Sequence, residues 1–181
     1  MESVRGQLLV AGPALLDPNF WRTVVLVVEH SEEGALGLVL NRPSETNVGE
    51  AVPQLGELLD PGQRLFIGGP VQPSAVIVLA QFEDPTDAAL LAFDDVGVLG
   101  TGPPPEAQPA GVRAGRAFLG HAGWGAGQLD GELERGDWIL EPARVEDAFA
   151  DQAPGLWADV LTRKGGSYAL VARMPADPST N

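Results

Sequence analysis

A chain of 181 residues with 25 acidic and 11 basic side chains carries a formal net charge of −14, and it has no cysteine. Such a chain is long enough to bury one substantial core without staples, and the missing thiols exclude disulfides, thiolate nucleophiles, zinc–thiolate sites and iron–sulfur clusters. With Lys164 as the only lysine and ten scattered arginines, it lacks the clustered basic surface that neutralises phosphates, so nucleic acid and anionic membranes are repelled at long range.

The N-terminus, Met1-Glu2-Ser3-Val4-Arg5-Gly6, has no charged region leading into an apolar stretch, so no signal peptide is expected and the cytoplasm is the expected location. Gln7 to Ala11 reads as a first strand, closed by Gly12-Pro13. Asp17-Pro18 starts a single helical turn, because an acid at the cap and Pro at the first helical position suit a helix start. Thr23 to Glu29 is rich in β-branched residues and apolar on both faces, which predicts a central, buried strand. Its run Val24–Val28 is far too short to span a bilayer. Ser31-Glu32-Glu33-Gly34 turns the chain into a second strand over Ala35–Leu40, making a hairpin.

Thr46-Asn47 predicts a short helix running to Leu59, interrupted at Pro53. Arg64–Ile67, Ala75–Phe82 and, more weakly, Asp95–Leu99 predict strands. The proline-rich stretch 102–111 predicts a surface loop within one domain. Ala117-Phe118-Leu119 leads into the glycines of 120–127, and a helix begins near Gln128. A strand over Asp137–Glu141 and a short helix over Val145–Ala150 follow. Pro154 opens a clearer helix with Leu156, Trp157, Val160 and Leu161 inward, ending at Arg163-Lys164 and Gly165. Ser167–Ala172 predicts a last strand, and 175–181 a polar tail. The whole predicts one α+β domain spanning 1–181.

Motifs for nucleotide phosphates, dinucleotides and serine nucleophiles are absent from the sequence, and His30 and His121 are the only histidines. No metal site, cofactor or catalytic residue is therefore assigned. The acid groups Glu32/Glu33, Asp94/Asp95 and Asp130/Glu132/Glu134 read as solvated faces in so acidic a chain. The candidate ligand-binding residues are Asn41, Arg42, Gly69, Gly123, Trp124 and Gln128. Asn41-Arg42-Pro43 places a donor fork at a strand end. The clusters 68–71 and 120–127 let a backbone approach a ligand closely, or simply make tight turns with Trp124 as a core plug. Brought together by a bent sheet, these segments would form a small hollow for an anionic ligand.

Taken in order, several segments resemble the YqgE/AlgH family of bacterial proteins. They are Gly6–Ala11, Pro13 with Leu16–Phe20, Glu29-His30 followed by Glu33-Gly34-Ala35, Gly37–Pro43, Gly68-Gly69-Pro70-Val71, Gly120–Leu129, Trp138, Leu156-Trp157, Val160-Leu161 and Asp177–Asn181. The resemblance covers essentially the whole chain. It implies a single α+β domain with a strongly bent, partly split β-sheet forming an incomplete barrel, flanked by short helices. His121 stands where the family usually shows Tyr, and the proline-rich 102–111 replaces a more helix-like stretch. The family's label of transcriptional regulator implies a role and no mechanism. The favoured function is a small cytoplasmic binding or regulatory module acting through a small anionic ligand or a protein partner. The alternatives are an enzyme using an anion site near Arg42 and Gly123–Gln128, and a regulator that binds DNA directly, which the charge opposes. Gel-shift titration of the isolated protein should accordingly show nothing tighter than non-specific binding, about 10⁻⁵ M at physiological salt; nanomolar, competitor-resistant binding would contradict the charge argument.

Overall fold

The computed structural model describes residues 2–99 and 111–175. The chain runs β1 (Gln7–Ala11), β2 (Val24–Ser31), β3 (Gly34–Val39), β4 (Pro43–Asn47), α1 (Val48–Ala51), β5 (Arg64–Ile67), β6 (Val71–Phe82), β7 (Leu90–Phe93) and β8 (Val96–Val98). It continues through β9 (Val112–Gly125), α2 (Gln128–Glu134), β10 (Trp138–Pro142), α3 (Val145–Ala148), α4 (Leu156–Lys164) and α5 (Ser167–Val171). Single 3₁₀ turns cover Pro53–Glu57, Pro85–Asp87 and Ala153–Gly155.

The main path of the sheet has the order β10-β1-β2-β3-β9-β6-β8-β7, with β5 beside β9 and β4 beside β5. Every pair is antiparallel except β5 with β9. β7 packs back against β2, but its ladder is to β8, so the curled sheet stays an open barrel. This is an α+β domain with a mostly antiparallel sheet and a few short helices.

β2 is covered on both faces, as its apolar run predicts: Val24 to Val28 are all fully buried. Val24, Leu26 and Val28 pack with Leu8, Leu38, Phe118 and the inward face of α4. Val25 and Val27 pack on the opposite side with Leu9, Val39, Ala122, Trp124 and Trp138. A third cluster, including Val48, Leu65, Val78 and Ala117, lies where α1 and the following 3₁₀ turn cover the sheet.

The sheet splits at the two glycine segments. β3 pairs with β9 over Gly34–Gly37 and Ala122–Gly125. Beyond that point Gly68, just after β5, inserts between them: its N–H donates to the Leu119 carbonyl (2.8 Å) and its carbonyl accepts from Val39 N–H (2.9 Å). Backbones meet so closely that a Cβ on Gly69 would lie 2.2 Å from the His121 carbonyl carbon, and one on Gly120 would lie 2.5 Å from the Gly69 oxygen. Gly69 and Gly120 also hold positive φ values of 153° and 72°.

Some elements differ from the expectations. The glycines Gly120, Gly123 and Gly125 lie inside the fourteen-residue β9 rather than in a turn. The segment 43–47 is strand β4, and only four residues of α1 and a 3₁₀ turn stand where a helix to Leu59 is predicted. Asn47 sits at the start of α1 without a side-chain cap bond. β7 has no counterpart among the predicted elements. Ser167–Val171 is helix α5, not a strand. Gly165 and Gly166, both at positive φ, break α4 and turn the chain, and the nearby free edge of β10 is already occupied. Lys164 Nζ donates to the Leu140 carbonyl at 2.8 Å, and Arg163 Nη2 reaches that of Pro142 at 3.4 Å. The expectations for 102–110 and 176–181 lie outside the described residues.

Thermal or urea unfolding should separate the glycines. Gly69→Ala is expected to cost at least about 2 kcal/mol, because the backbone contact and the positive φ both oppose a side chain. Gly123→Ala meets only Val71 Cγ2, at an ordinary 3.5 Å, and should change stability by less than about 1 kcal/mol.

Candidate functional site: an arginine against two tryptophans

The loop between β1 and β2 is built from main-chain clamps. The Asp17 carboxylate accepts from Asn19 N–H at 2.8 Å, and the Asp17 carbonyl accepts from the amides of Phe20 and Trp21. Arg42 then grips the loop from below, donating from Nη1 to the Asn19 carbonyl (2.8 Å) and from Nη2 to that of Trp21 (3.1 Å). Burial pulls the Arg42 guanidinium below its ordinary pKa, and Asp17 nearby pushes the other way; it remains a cation. Asn41 bridges the loop to the strand. Its Nδ2 donates to the Arg22 carbonyl (2.9 Å) and its Oδ1 accepts from Val24 N–H (3.0 Å).

All of these bonds bracket Arg22, which has φ +53°. A non-glycine residue with a side chain of this length rarely adopts that conformation, and it persists only when its surroundings enforce it. The enforced turn lays the guanidinium carbon 4.4 Å from the centroid of Trp157 and 5.2 Å from that of Trp21. Trp157 is buried, and its indole N–H donates to the Ala11 carbonyl at 2.9 Å, which fixes the platform. Trp21 is 38% exposed, so the corner opens to solvent. Arg22 Nη2 donates to two successive carbonyls near the end of the described chain, Met174 (2.6 Å) and Pro175 (2.9 Å). An aromatic-backed guanidinium keeps its charge and its planar donor edge, so this is a cationic contact point that accepts oxygen atoms.

The six residues singled out from sequence do not converge on one hollow. Asn41 and Arg42 act on the main chain around Arg22. Gly69 lies at the split in the sheet, and Gly123 is an exposed position of β9. Trp124 is buried; its ring stacks on Phe20 and meets Trp138 edge-on, and both indole N–H groups donate to one Glu132 oxygen. Gln128 Oε1 accepts from Gly125 N–H at 3.0 Å, closing the turn into α2. Gly125 faces Gly34 at the start of β3, whereas Arg42 follows the end of that strand. Five residue steps at about 3.3 Å each put roughly 17 Å between the main chain at those two ends.

The two histidines sit in different surroundings. His30 Nδ1 accepts from Val4 N–H (3.0 Å) and Nε2 lies 3.4 Å from Asp130, an arrangement that ties the N-terminal segment to α2. His121 has a buried Nδ1 without a partner, and burial lowers its pKa. Among the described residues no group of three or more His, Asp or Glu is arranged to hold a metal ion, and no helix is long and apolar enough to cross a membrane.

Arg22, Trp21 and Trp157 are the residues that sequence reasoning missed. The available signal was Trp-Arg directly after the Asp-Pro-Asn-Phe turn. It was obscured because positive φ is read from glycines, and Arg22 is not one.

The fold is that of a small α+β protein with an open, forked sheet. An AlgH-like family model matches residues 8–169, and the chain belongs to that family. It is 42% identical over 190 residues to a UPF0301 protein of Thermobifida fusca, covering 99% of this chain and 96% of that one. A Streptomyces coelicolor UPF0301 protein is 41% identical, at 100% and 97% coverage. The crystal structure of a Corynebacterium diphtheriae protein superposes with a TM-score of 0.85 and 31% identity, covering 96% of this chain and 94% of that one. The solution structure of AlgH from Pseudomonas aeruginosa gives 0.68 and 30%, covering 98% of each.

Substitutions separate the clamps from the contact residue. Asn41→Ala leaves Val24 N–H and the Arg22 carbonyl without their partner and should cost about 2 kcal/mol or more in urea unfolding. Arg22→Gly removes the ring contacts but relieves the positive φ, so its net change should stay within about 1 kcal/mol of the parent.

Proposed function

We propose that this protein is a cytoplasmic binding module that engages a ligand or protein partner through oxygen atoms placed on Arg22. The observation that carries the reading is the guanidinium laid against Trp21 and Trp157 by a main chain held at φ +53°. Backbone strain of this kind costs roughly 1–3 kcal/mol and is concentrated where a side chain must be aimed. Asn41 and Arg42 serve this site as positioning residues. The enzyme alternative has less support, since the groups in contact with the Arg22 guanidinium are two tryptophan rings and two main-chain carbonyls. Any regulatory role then runs through the partner, because a net charge of −14 opposes direct contact with DNA.

Native mass spectrometry of freshly purified protein tests the reading. A non-covalently bound species is expected on the parent chain, retained by Arg135→Gln, an exposed arginine paired with Asp137, and lost from Arg22→Gly. A species bound equally by Arg22→Gly would place the site elsewhere.

A further inference from the structure

We infer that the open face of the sheet beside its fork, where Leu36, Val71 and Gly123 lie, is a docking surface for a basic, amphipathic segment of a partner protein. The inference does not rest on the Arg22 reading: Arg22 precedes β2, whereas this face lies at the opposite end of that strand. Register places its residues together. Glu29 on β2, Leu36 on β3 and Gly123 on β9 are cross-strand partners in one row. His121 is two residues from Gly123 on the same side of β9, and its partner is Val71 at the start of β6. A Cβ on Gly123 would lie 3.5 Å from Val71 Cγ2, which joins the two rows.

This face is apolar and uncovered. Val71 is 38% exposed, Gly123 is exposed and Leu36 is half-buried. The short helices pack elsewhere, α2 through Leu129 onto the cluster of Val25 and Trp124, and α1 through Val48 onto that of Leu65 and Ala117. The His121 ring has a buried Nδ1 to which nothing among the described residues bonds. Burial holds this imidazole below its ordinary pKa, so it brings a hydrogen-bonding group and no positive charge at neutral pH.

Charge selects the occupant. The segments 23–41, 65–112 and 117–134, which contain every residue of this face, hold no lysine or arginine. Glu29, Glu32 and Glu33 are exposed along its β2–β3 border. In strand order the next cation is Arg5, ahead of β1 on the far side of β2. An apolar strip with an acidic border is complementary to a segment that alternates apolar and basic side chains. Occupants from this chain carry the wrong charge. Residues 100–110 and 176–181 contain Glu106 and Asp177 and no lysine or arginine, and a second copy brings a net charge of −14 of its own.

Nuclear magnetic resonance of the ¹⁵N-labelled full chain at low salt tests this with three probes. They are acetyl-Lys-Leu-Lys-Leu-Lys-Leu-amide, its counterpart acetyl-Glu-Leu-Glu-Leu-Glu-Leu-amide, and spermine. The lysine peptide is expected to shift the amides of Glu29, Leu36, His121 and Gly123 saturably, and added salt to weaken it. Gly123 is not at positive φ and has open space beside it, so Gly123→Arg should fold while placing a bulky cation on the face. Gly123→Arg and the border reversal Glu29→Lys should each weaken the peptide by about tenfold or more, as for anchor positions at an interface. Arg135→Gln should leave it unchanged. Equal binding of the glutamate peptide would overturn the charge argument, and equal binding of spermine would show an acidic surface without apolar selection. No response to the lysine peptide, shifts scattered over the acidic surface, or shifts undiminished by Gly123→Arg would overturn the docking assignment. Self-association of the chain alone through these same amides would make the occupant a second copy and the basic partner wrong. Shifts at the Trp21 indole and Arg22 instead would remove this inference and leave the Arg22 reading standing.

Discussion

The main-chain contact of Gly68 organises this fold more than any side chain does. One peptide unit donates to β9 and accepts from β3, which wedges the end of β5 between two strands that are neighbours a few residues earlier. From that wedge follow the parallel β5–β9 pairing, the long excursion of β6 along β9, and the curl that carries β7 back toward β2. It also forces a close approach of backbones at Gly69 and Gly120, where only hydrogen atoms fit. A forked sheet needs such a point, since hydrogen-bonded strands cannot part without leaving amides and carbonyls to be satisfied by something else.

The legibility of the sequence follows the same division. Elements fixed by local pattern were readable: β2 from its β-branched run, α4 from Pro154, its apolar spacing and its glycine stop, and the β2–β3 hairpin from Glu32–Gly34. Elements fixed by tertiary context were not. β4 is a short polar segment that is a strand only because β5 lies beside it. Ser167–Val171 has strand-like composition, yet it meets a covered edge and folds as a helix. In the candidate site, Asn41 and Arg42 stood out by residue type, and they do lie at the corner. Their bonds go to the main chain of a loop, which their own segment could not reveal. Arg22 was invisible because its importance lies in its backbone angle.

A further pattern concerns how the few cations are used. Arg22, Arg42 and Arg116 all spend donors on carbonyls, Arg116 on those of Ala148 and Ala150 while its guanidinium lies over Phe66. Burial lowers the pKa of Arg116, with Asp151 opposing. Arg163 instead forks onto Asp147 at 2.8 and 3.0 Å, pinning α3 to α4, and Asp147 in turn accepts from Arg144 N–H. Positive charge thus works largely as a fastener inside the fold, which leaves much of the acidic surface uncompensated.

The edge of β10 depends on such fasteners. The ε-amine of Lys164, the sole amine of its kind in the chain, covers the Leu140 carbonyl and lies 5.1 Å from the Tyr168 ring centroid. An uncovered strand edge is a template for another strand. Neutralising that nitrogen would remove one of the two charges that cover this border, leaving the Arg163 contact with the Pro142 carbonyl as its remaining guard.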